Sequence, residues 1–319
     1  MAGSFWLNNP CAPGWSDRLG IWWNEEAPRL IQIDQYVAPF QPILGYSLFR
    51  GKEEHAGSIS QFWTRYFVQS NVCKCYVPIS HIQSCIADNS WEVFLIVHKQ
   101  THEIVGTVVR RWLTKLHIQN VVWEKAGMVD FFCVHPAFRK KGIGRWLLAT
   151  IHNTITPPMP PHLILWEGFQ IKIPPAIQNT YWMKKRPMML PIASSFATKN
   201  ITCTLITDKK KWLHCVKGKD IWTEDGPFRE VSMWQLPAGI VAVWNTFHTS
   251  IPDGLGIGII VSGNAIAVDQ FSAVGPFGIL LSAGCPDGST GWARDSSFQI
   301  ITYNLSTNFL SSDFPVLCL

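Results

Sequence analysis

Hydrophobic spacing along the chain switches between periods near 3.6 and near 2, and the switches mark out a sheet carrying helices. Helical spacing over Ser58 to Phe67 predicts a helix. It is followed by strand patterns over Trp91 to His98 and Glu103 to Trp112, joined by the polar turn Lys99, Gln100, Thr101 and His102, which together read as a β-hairpin. A third strand is expected over Val121 to Val134. The apolar positions Ile143, Trp146, Leu147, Leu148 and Ile151 then predict a helix from Gly142 to Asn153, ended by the proline cluster Pro157 to Pro161. The apolar run His162 to Trp166 returns to the sheet and completes a strand–helix–strand crossover.

Flanking this block the pattern weakens. Residues 1–55 are rich in Pro, Gly and Trp and read as an arm laid over the main body. The block itself is assigned to residues 56–200. Beyond a basic stretch near Lys184 to Lys219, short apolar runs at Ile240 to Trp244, Gly256 to Val261, Ile266 to Val268 and Phe298 to Tyr303 are read as strands. They predict a smaller β-rich half, residues 201–319, sharing the same sheet.

Composition narrows the class. With 319 residues and 47% apolar content the chain fills a real core, as one large α/β unit or two domains. The net charge of +5 is modest, and its basic runs are as short as Lys209 to Lys211, so no nucleic-acid partner is expected; a polyanion of small-molecule size accounts for the balance. Nine cysteines without regular spacing suggest a reducing compartment. Cys73 and Cys75 lack a second ligand pair at zinc-site distance and the histidines show no such spacing, so no metal is expected. The start, Met1 to Trp6, has no signal-peptide pattern, and no apolar stretch reaches the ~18 residues of a membrane span, which reads as cytoplasmic. Sixteen Trp and eighteen Phe supply an aromatic core, and permit an apolar tunnel.

Candidate chemistry concentrates in Asp130, Phe131, Phe132, Cys133, Val134 and His135, which lead through Pro136 to Phe138 into Arg139, Lys140, Lys141, Gly142, Ile143 and Gly144. An apolar strand feeds a basic, glycine-bearing loop that opens a helix, and uncovered amides at a helix start favour a diphosphate. Cys133 sits in a continuous apolar strand and is read as an inert core residue.

This segment resembles the coenzyme A loop of the GCN5-related acyltransferase superfamily, and within it the chain is similar to the N-myristoyltransferase family. Phe131 to His135 resemble the family's strand before the coenzyme loop. Pro174, Pro175, Thr180, Tyr181 and Trp182 resemble its proline-bearing loop ending in Tyr-Trp, and Trp166, Glu167 and Gly168 stand where it has Thr-Ala-Gly. Phe5, Trp6 and Pro10 resemble its leading arm, Asn245 and His248 resemble its Tyr-Asn-x-His-Thr segment, and Tyr303, Asn304 and the segment to Leu319 resemble its tail.

The resemblance implies a GCN5-related acyltransferase-like α/β (α+β) fold, two tandem halves on one mixed twisted sheet with the second reduced. It implies myristoyl-CoA as cosubstrate, no permanently bound cofactor, N-terminal glycine peptides as substrates, and a monomer. Phe131 and Phe132 amides would polarise the thioester, freed by a bulge, and the Leu319 carboxylate would act as base. Phe5, Trp6, Val134, Arg139, Lys140, Lys141, Gly142, Ile143, Gly144 and Tyr181 would hold the acyl-CoA; Thr180, Trp182, Asn245 and His248 would line the peptide site. Met183 and Phe196 replace family histidines, and Gln69 to Val77 carry no carboxylate where the family has an acidic loop. The alternatives are an N-acetyltransferase of the same superfamily, and a non-catalytic acyl-CoA-binding or scaffold protein.

Overall fold

The structure is a computed structural model that describes residues 29–30, 42–67, 73–118, 121–154, 160–167, 176–186, 201–217, 221–224, 230–252, 254–283, 291–303 and 305–306. The chain runs β1 (Arg29–Leu30), β2 (Tyr46–Arg50), α1 (Ala56–Tyr66), β3 (Cys73–Cys75), α2 (Ile79–Ala87), β4 (Trp91–His98), β5 (Ile104–Ile118), β6 (Val121–Val134), α3 (Ile143–Asn153), β7 (His162–Glu167) and β8 (Ala176–Lys185). It continues through β9 (Thr204–Ile206), α4 (Lys209–Val216), β10 (Ile221–Thr223), β11 (Val231–Leu236), β12 (Gly239–Ser250), β13 (Gly256–Ser262), α5 (Ala265–Val274), β14 (Ile279–Ala283), β15 (Ala293–Tyr303) and β16 (Leu305–Ser306).

Twelve of these strands lie side by side in the order β2-β4-β5-β6-β7-β15-β8-β14-β13-β12-β11-β9, with β10 attached to β5 and β3 to β12; β1 pairs separately with β16. The order is nearly palindromic. Each half climbs through antiparallel strands to one parallel pair, β6 with β7 and β13 with β14, bridged by α3 and α5 respectively. The halves then exchange their last strands: β8 follows β7 in the chain but pairs with β14, while β15 follows β14 but pairs with β7. β8 and β15 pair with each other at the centre, so one continuous mixed sheet unites both halves.

Both faces of the first half are covered, which explains why β4 reads as an almost continuous apolar run. Phe94 and Ile96 pack against Ile143, Trp146, Leu147 and Ile151 of α3. Trp91, Val93 and Leu95 face Ile59, Phe62 and Trp63 of α1 and Ile82 and Cys85 of α2. The neighbours Arg110 and Arg111 on β5 follow the same alternation: Arg110 donates to the Ile151 carbonyl at the end of α3 at 2.9 Å, while Arg111 reaches Asp130 at 2.7 Å.

Three expectations are corrected. The Ile266 to Val268 run lies in helix α5 rather than a strand, because parallel β13 and β14 require a crossover; the Asn264 side chain caps α5 by accepting from the Ala267 amide at 2.8 Å. The second hairpin strand runs on to Ile118, where β10 pairs with it and Trp222 stacks on His117 at 3.7 Å. The run Ile240 to Trp244 is the first part of β12, which continues through a bulge to Ser250.

Candidate acyl-transfer site

The expected bulge is present in β6. Thr107 pairs with Cys133 and Val109 with Asp130, so two steps on β5 face three on β6 and Phe131–Phe132 carry the extra residue. Phe131 takes φ +46°, a left-handed conformation that costs a non-glycine residue about 1–2 kcal/mol. Neighbours compensate. Its ring stacks on Trp63 with centroids 4.3 Å apart, and its carbonyl accepts from the Thr107 hydroxyl at 3.1 Å, which itself accepts from Trp63 Nε1 at 2.9 Å. The Phe131 N–H donates to Asp130 Oδ1 at 2.6 Å, and Arg111 holds Oδ2 of the same carboxylate at 2.7 Å.

Phe131 and Phe132 point to opposite faces of the sheet, the former into the α1–α2 layer and the latter toward α3, where a Cβ on Gly144 would stand 3.0 Å from the Phe132 ring. Strands β6 and β7 pair over Gly127–Val129 with His162–Ile164, short of the bulge, and β7 turns its other edge to β15. The bulge thus lies just beyond the last parallel pairing, where open α/β sheets place their ligands.

The basic loop stands at the same end. Val134 ends β6, His135 Nδ1 accepts from the Ala137 amide at 3.2 Å, and Arg139 Nε donates back to the Val134 carbonyl at 3.2 Å. Lys140 and Gly142 adopt φ +64° and +87°, turning the chain so that Gly142 caps α3 and Ile143 and Gly144 form its first turn. Glycine is the residue that takes such a conformation without a Cβ clash. Beside the loop, between α1 and strands β4–β5, lies a cavity of about 480 Å³ lined by Phe49, Phe62, Tyr66, Leu95, Ile104 and Phe138 among others, with polar groups from His55, Arg65, His102 and Glu103.

A second bulge, in β12, approaches the same layer. Asn245 pairs with Gly258 and His248 with Ile257, leaving Thr246 and Phe247 extra; Phe247 takes φ +58° and donates its amide to Asn245 Oδ1 at 2.9 Å. Phe67 lies between the two bulges, 5.0 Å from the Phe131 ring and 6.2 Å from that of His248. His248 Nδ1 lies 2.8 Å from the Thr246 carbonyl, so this nitrogen carries the proton. The buried Nε2 then offers an acceptor that no group among the described residues fills, and burial holds the imidazole below its ordinary pKa, hence neutral.

Cys133 is buried beside the bulge, and burial pushes its thiol up to about 12 despite the Arg139 charge, as expected for an inert core residue. Thr180 and Tyr181 lie on β8 and Trp182 is half-buried there, across the β8–β15 pair from Ser297 and Arg294. Trp166 and Glu167 are on β7 and Tyr303 ends β15. Phe5, Trp6, Pro10, Gly168, Pro174, Pro175, Phe196, Asn304 and Leu319 lie outside the described residues, as do residues 69–72. Pattern reading missed Trp63, Thr107, Asp130 and Arg111 as supports of the bulge, since only sheet register brings them together.

Known proteins share this geometry in part and in whole. Residues 58–153 match the family model described as Acetyltransferase (GNAT) family, a span that holds the hairpin, the bulge, the basic loop and α3. The whole architecture is similar to that of solved N-myristoyltransferases. The Saccharomyces cerevisiae enzyme solved with bound myristoyl-CoA aligns over 99% of this chain and 99% of its own with a TM-score of 0.69 at 11% identity. A further structure of the yeast enzyme with bound myristoyl-CoA aligns over 99% and 94% with a TM-score of 0.71 at 10% identity. No curated protein sequence matches the chain. Fold and family model together support an acyltransferase that uses acyl-CoA. Among the described residues no helix is long and apolar enough to cross a membrane.

Proposed function

We propose that the protein transfers a myristoyl or related fatty acyl group from acyl-CoA to the N-terminal glycine amine of protein substrates. The observation that carries this reading is the coincidence of the Phe131–Phe132 bulge, the parting of β6 and β7, and the basic start of α3 at one end of the sheet. The diphosphate of the cosubstrate lies on Arg139, Lys140, Lys141 and the first amides of α3, beginning with Ile143 and Gly144. Phe5, Trp6 and Tyr181 complete its enclosure, and Val134 flanks the pantetheine arm. The acyl chain enters the apolar part of the cavity beside α1, whose size falls within the usual range of ligand sites.

The thioester oxygen replaces Asp130 Oδ1 at the Phe131 amide, and the Phe132 amide gives the second donor; negative charge developing on that oxygen is then stabilised by fixed dipoles. The substrate's glycine lies toward Thr180, Trp182, Asn245 and His248, with the neutral Nε2 of His248 accepting from its amine. The Leu319 carboxylate removes the ammonium proton, the free amine attacks the thioester carbon, and the carbon–sulfur bond breaks as the nitrogen loses its second proton and the departing sulfur takes one up, which releases the amide and coenzyme A as its thiol. No side-chain nucleophile takes part. A cytoplasmic monomer without permanently bound cofactor or nucleic-acid partner fits this chemistry.

The match of residues 58–153 to the acetyltransferase family model favours a second reading, an N-acetyltransferase on the same loop. Extending the chain by a few residues beyond Leu319 separates the two. Thiol release from acyl-CoA in the presence of a Gly-first peptide is expected to fall at least ~100-fold if the terminal carboxylate is the base. Turnover unchanged by the extension would remove Leu319 from the mechanism and favour the acetyltransferase; acyl-CoA binding with no turnover in either form would favour a scaffold.

A further inference from the structure

On the α2 side of the sheet, three donor groups from distant parts of the chain converge in one buried place. His81 and Cys85 are four residues apart on α2, one turn of helix, and Glu230 immediately precedes β11 in the second half. His81 Nε2 stands 3.0 Å from Glu230 Oε1 and 3.5 Å from Cys85 Sγ, and the three donor atoms lie within 4.8 Å of one another. Bond lengths of about 2.0–2.3 Å at a tetrahedral zinc ion put its ligand atoms roughly 3.3–3.7 Å apart, so the two closest separations require shifts of only a few tenths of an ångström. Cys85 and the Glu230 carboxylate are almost completely buried, while the His81 side chain keeps 16% exposure and so a path to solvent.

From this convergence we propose that His81 Nε2, Cys85 Sγ and the Glu230 carboxylate form a binding site for one zinc ion, completed by a water molecule. An imidazole, a thiolate and a carboxylate are a donor set that suits zinc. Arg111 Nη1 lies 3.7 Å from Glu230 Oε1 and acts as the outer partner that orients the ligating carboxylate. The charges agree. Once His81 has given up its proton, Arg111, Asp130 and Glu230 together carry one net negative charge, and a dication bound to a Cys85 thiolate adds one positive, so the buried group is neutral when filled. Binding takes the proton that His81 Nε2 shares with the Glu230 carboxylate and breaks the Cys85 S–H bond, and both protons go to solvent as the N–Zn and S–Zn bonds form. The ion joins α2 of the first half to β11 of the second. Through Glu230 and Arg111 it is also linked to the Asp130 carboxylate that holds the Phe131 amide.

The test is direct metal binding by the full chain after chelator treatment, with no acyl donor or peptide present. Titrated with Co(II), the protein is expected to take up one equivalent and to show a thiolate-to-metal charge-transfer band with the visible bands of a tetrahedral ion; zinc then displaces them. The charge-transfer band is expected to vanish in Cys85→Ser and to persist in Cys133→Ser. Zinc is expected to raise the thermal midpoint of the unaltered protein and to leave that of His81→Gln unmoved. Absence of the band in the unaltered protein, or its survival in Cys85→Ser, overturns the proposal.

Discussion

At the scale of single residues, Gly127 and His162 explain each other. They are register partners at the start of the β6–β7 pair, and a Cβ on Gly127 would stand 2.1 Å from the His162 ring. Gly127→Ala is therefore expected to destabilise the protein by about 1–3 kcal/mol or more, read as a lower denaturant midpoint with an unchanged m-value. Burial holds His162 down to about 3, with its Nδ1 donating to the Pro160 carbonyl at 2.8 Å. Above pH 6.5 the ring is neutral in both folded and unfolded states, and stability is unaffected by it. Below that pH the unfolded chain takes a proton that the folded protein refuses, so stability falls by up to about 1.4 kcal/mol per pH unit until about pH 3. Denaturant unfolding at pH 7 and pH 5 checks this, and His162→Gln is expected to flatten the difference. None of this pairing is legible locally, because glycine 127 and histidine 162 are 35 residues apart and each is unremarkable in its own strand.

Among elements, the β6–loop–α3 unit was the most legible because everything that makes it is consecutive: an apolar strand, a basic turn with glycine at the φ +87° position, and a helix with its apolar face toward the sheet. Gly142→Ala is expected to weaken acyl-CoA binding several-fold with little change in turnover at saturation, since it strains the turn that aims the first amides of α3. The bulge was expected from a resemblance, but its supports were not, since Trp63, Thr107 and Phe131 meet only across α1, β5 and β6. Thr107→Val removes the hydroxyl that joins the Trp63 indole to the Phe131 carbonyl. The expected result is a fall in kcat of at least ~10-fold with KM for acyl-CoA nearly unchanged, as for a positioning residue acting on the transition state. Equal losses in kcat and acyl-CoA affinity would instead mean that the hydroxyl supports the fold of the site as a whole. Helix α5 was misread because its Ile266 to Val268 start is short and apolar, and periodicity alone does not separate a buried helix from a strand over three residues. Nothing in the sequence signals the His81, Cys85 and Glu230 cluster, because Glu230 is 149 residues from His81 and only the fold unites them.

For the whole molecule, the sheet makes the two halves inseparable. The exchange of β8 and β15 means that residues 176–185 are built into the second half's parallel unit, while residues 293–303 cover the first half's β7. Short strand patterns predicted a shared sheet but not this exchange, since nothing in a strand's own sequence records which neighbour it will find. Arg186, at the end of β8, bonds the Ser272, Gly275 and Phe277 carbonyls around the end of α5, and the Lys184 ammonium pairs with Asp269 on that helix, which fastens the exchanged strand to its adopted half. The second half also departs from the first in chemistry: α5 starts from Ser262, Gly263 and Asn264 with no basic residue, so one acyl-CoA site is expected per chain.

The most direct measurement is mass spectrometry of peptides incubated with the protein and myristoyl-CoA or acetyl-CoA, using matched Gly-first and Ala-first sequences. A myristoyl adduct on the α-amine of the Gly-first peptide, and no adduct on its Ala-first partner, is the predicted result. Acetylation without myristoylation, or equal modification of both peptides, would contradict it.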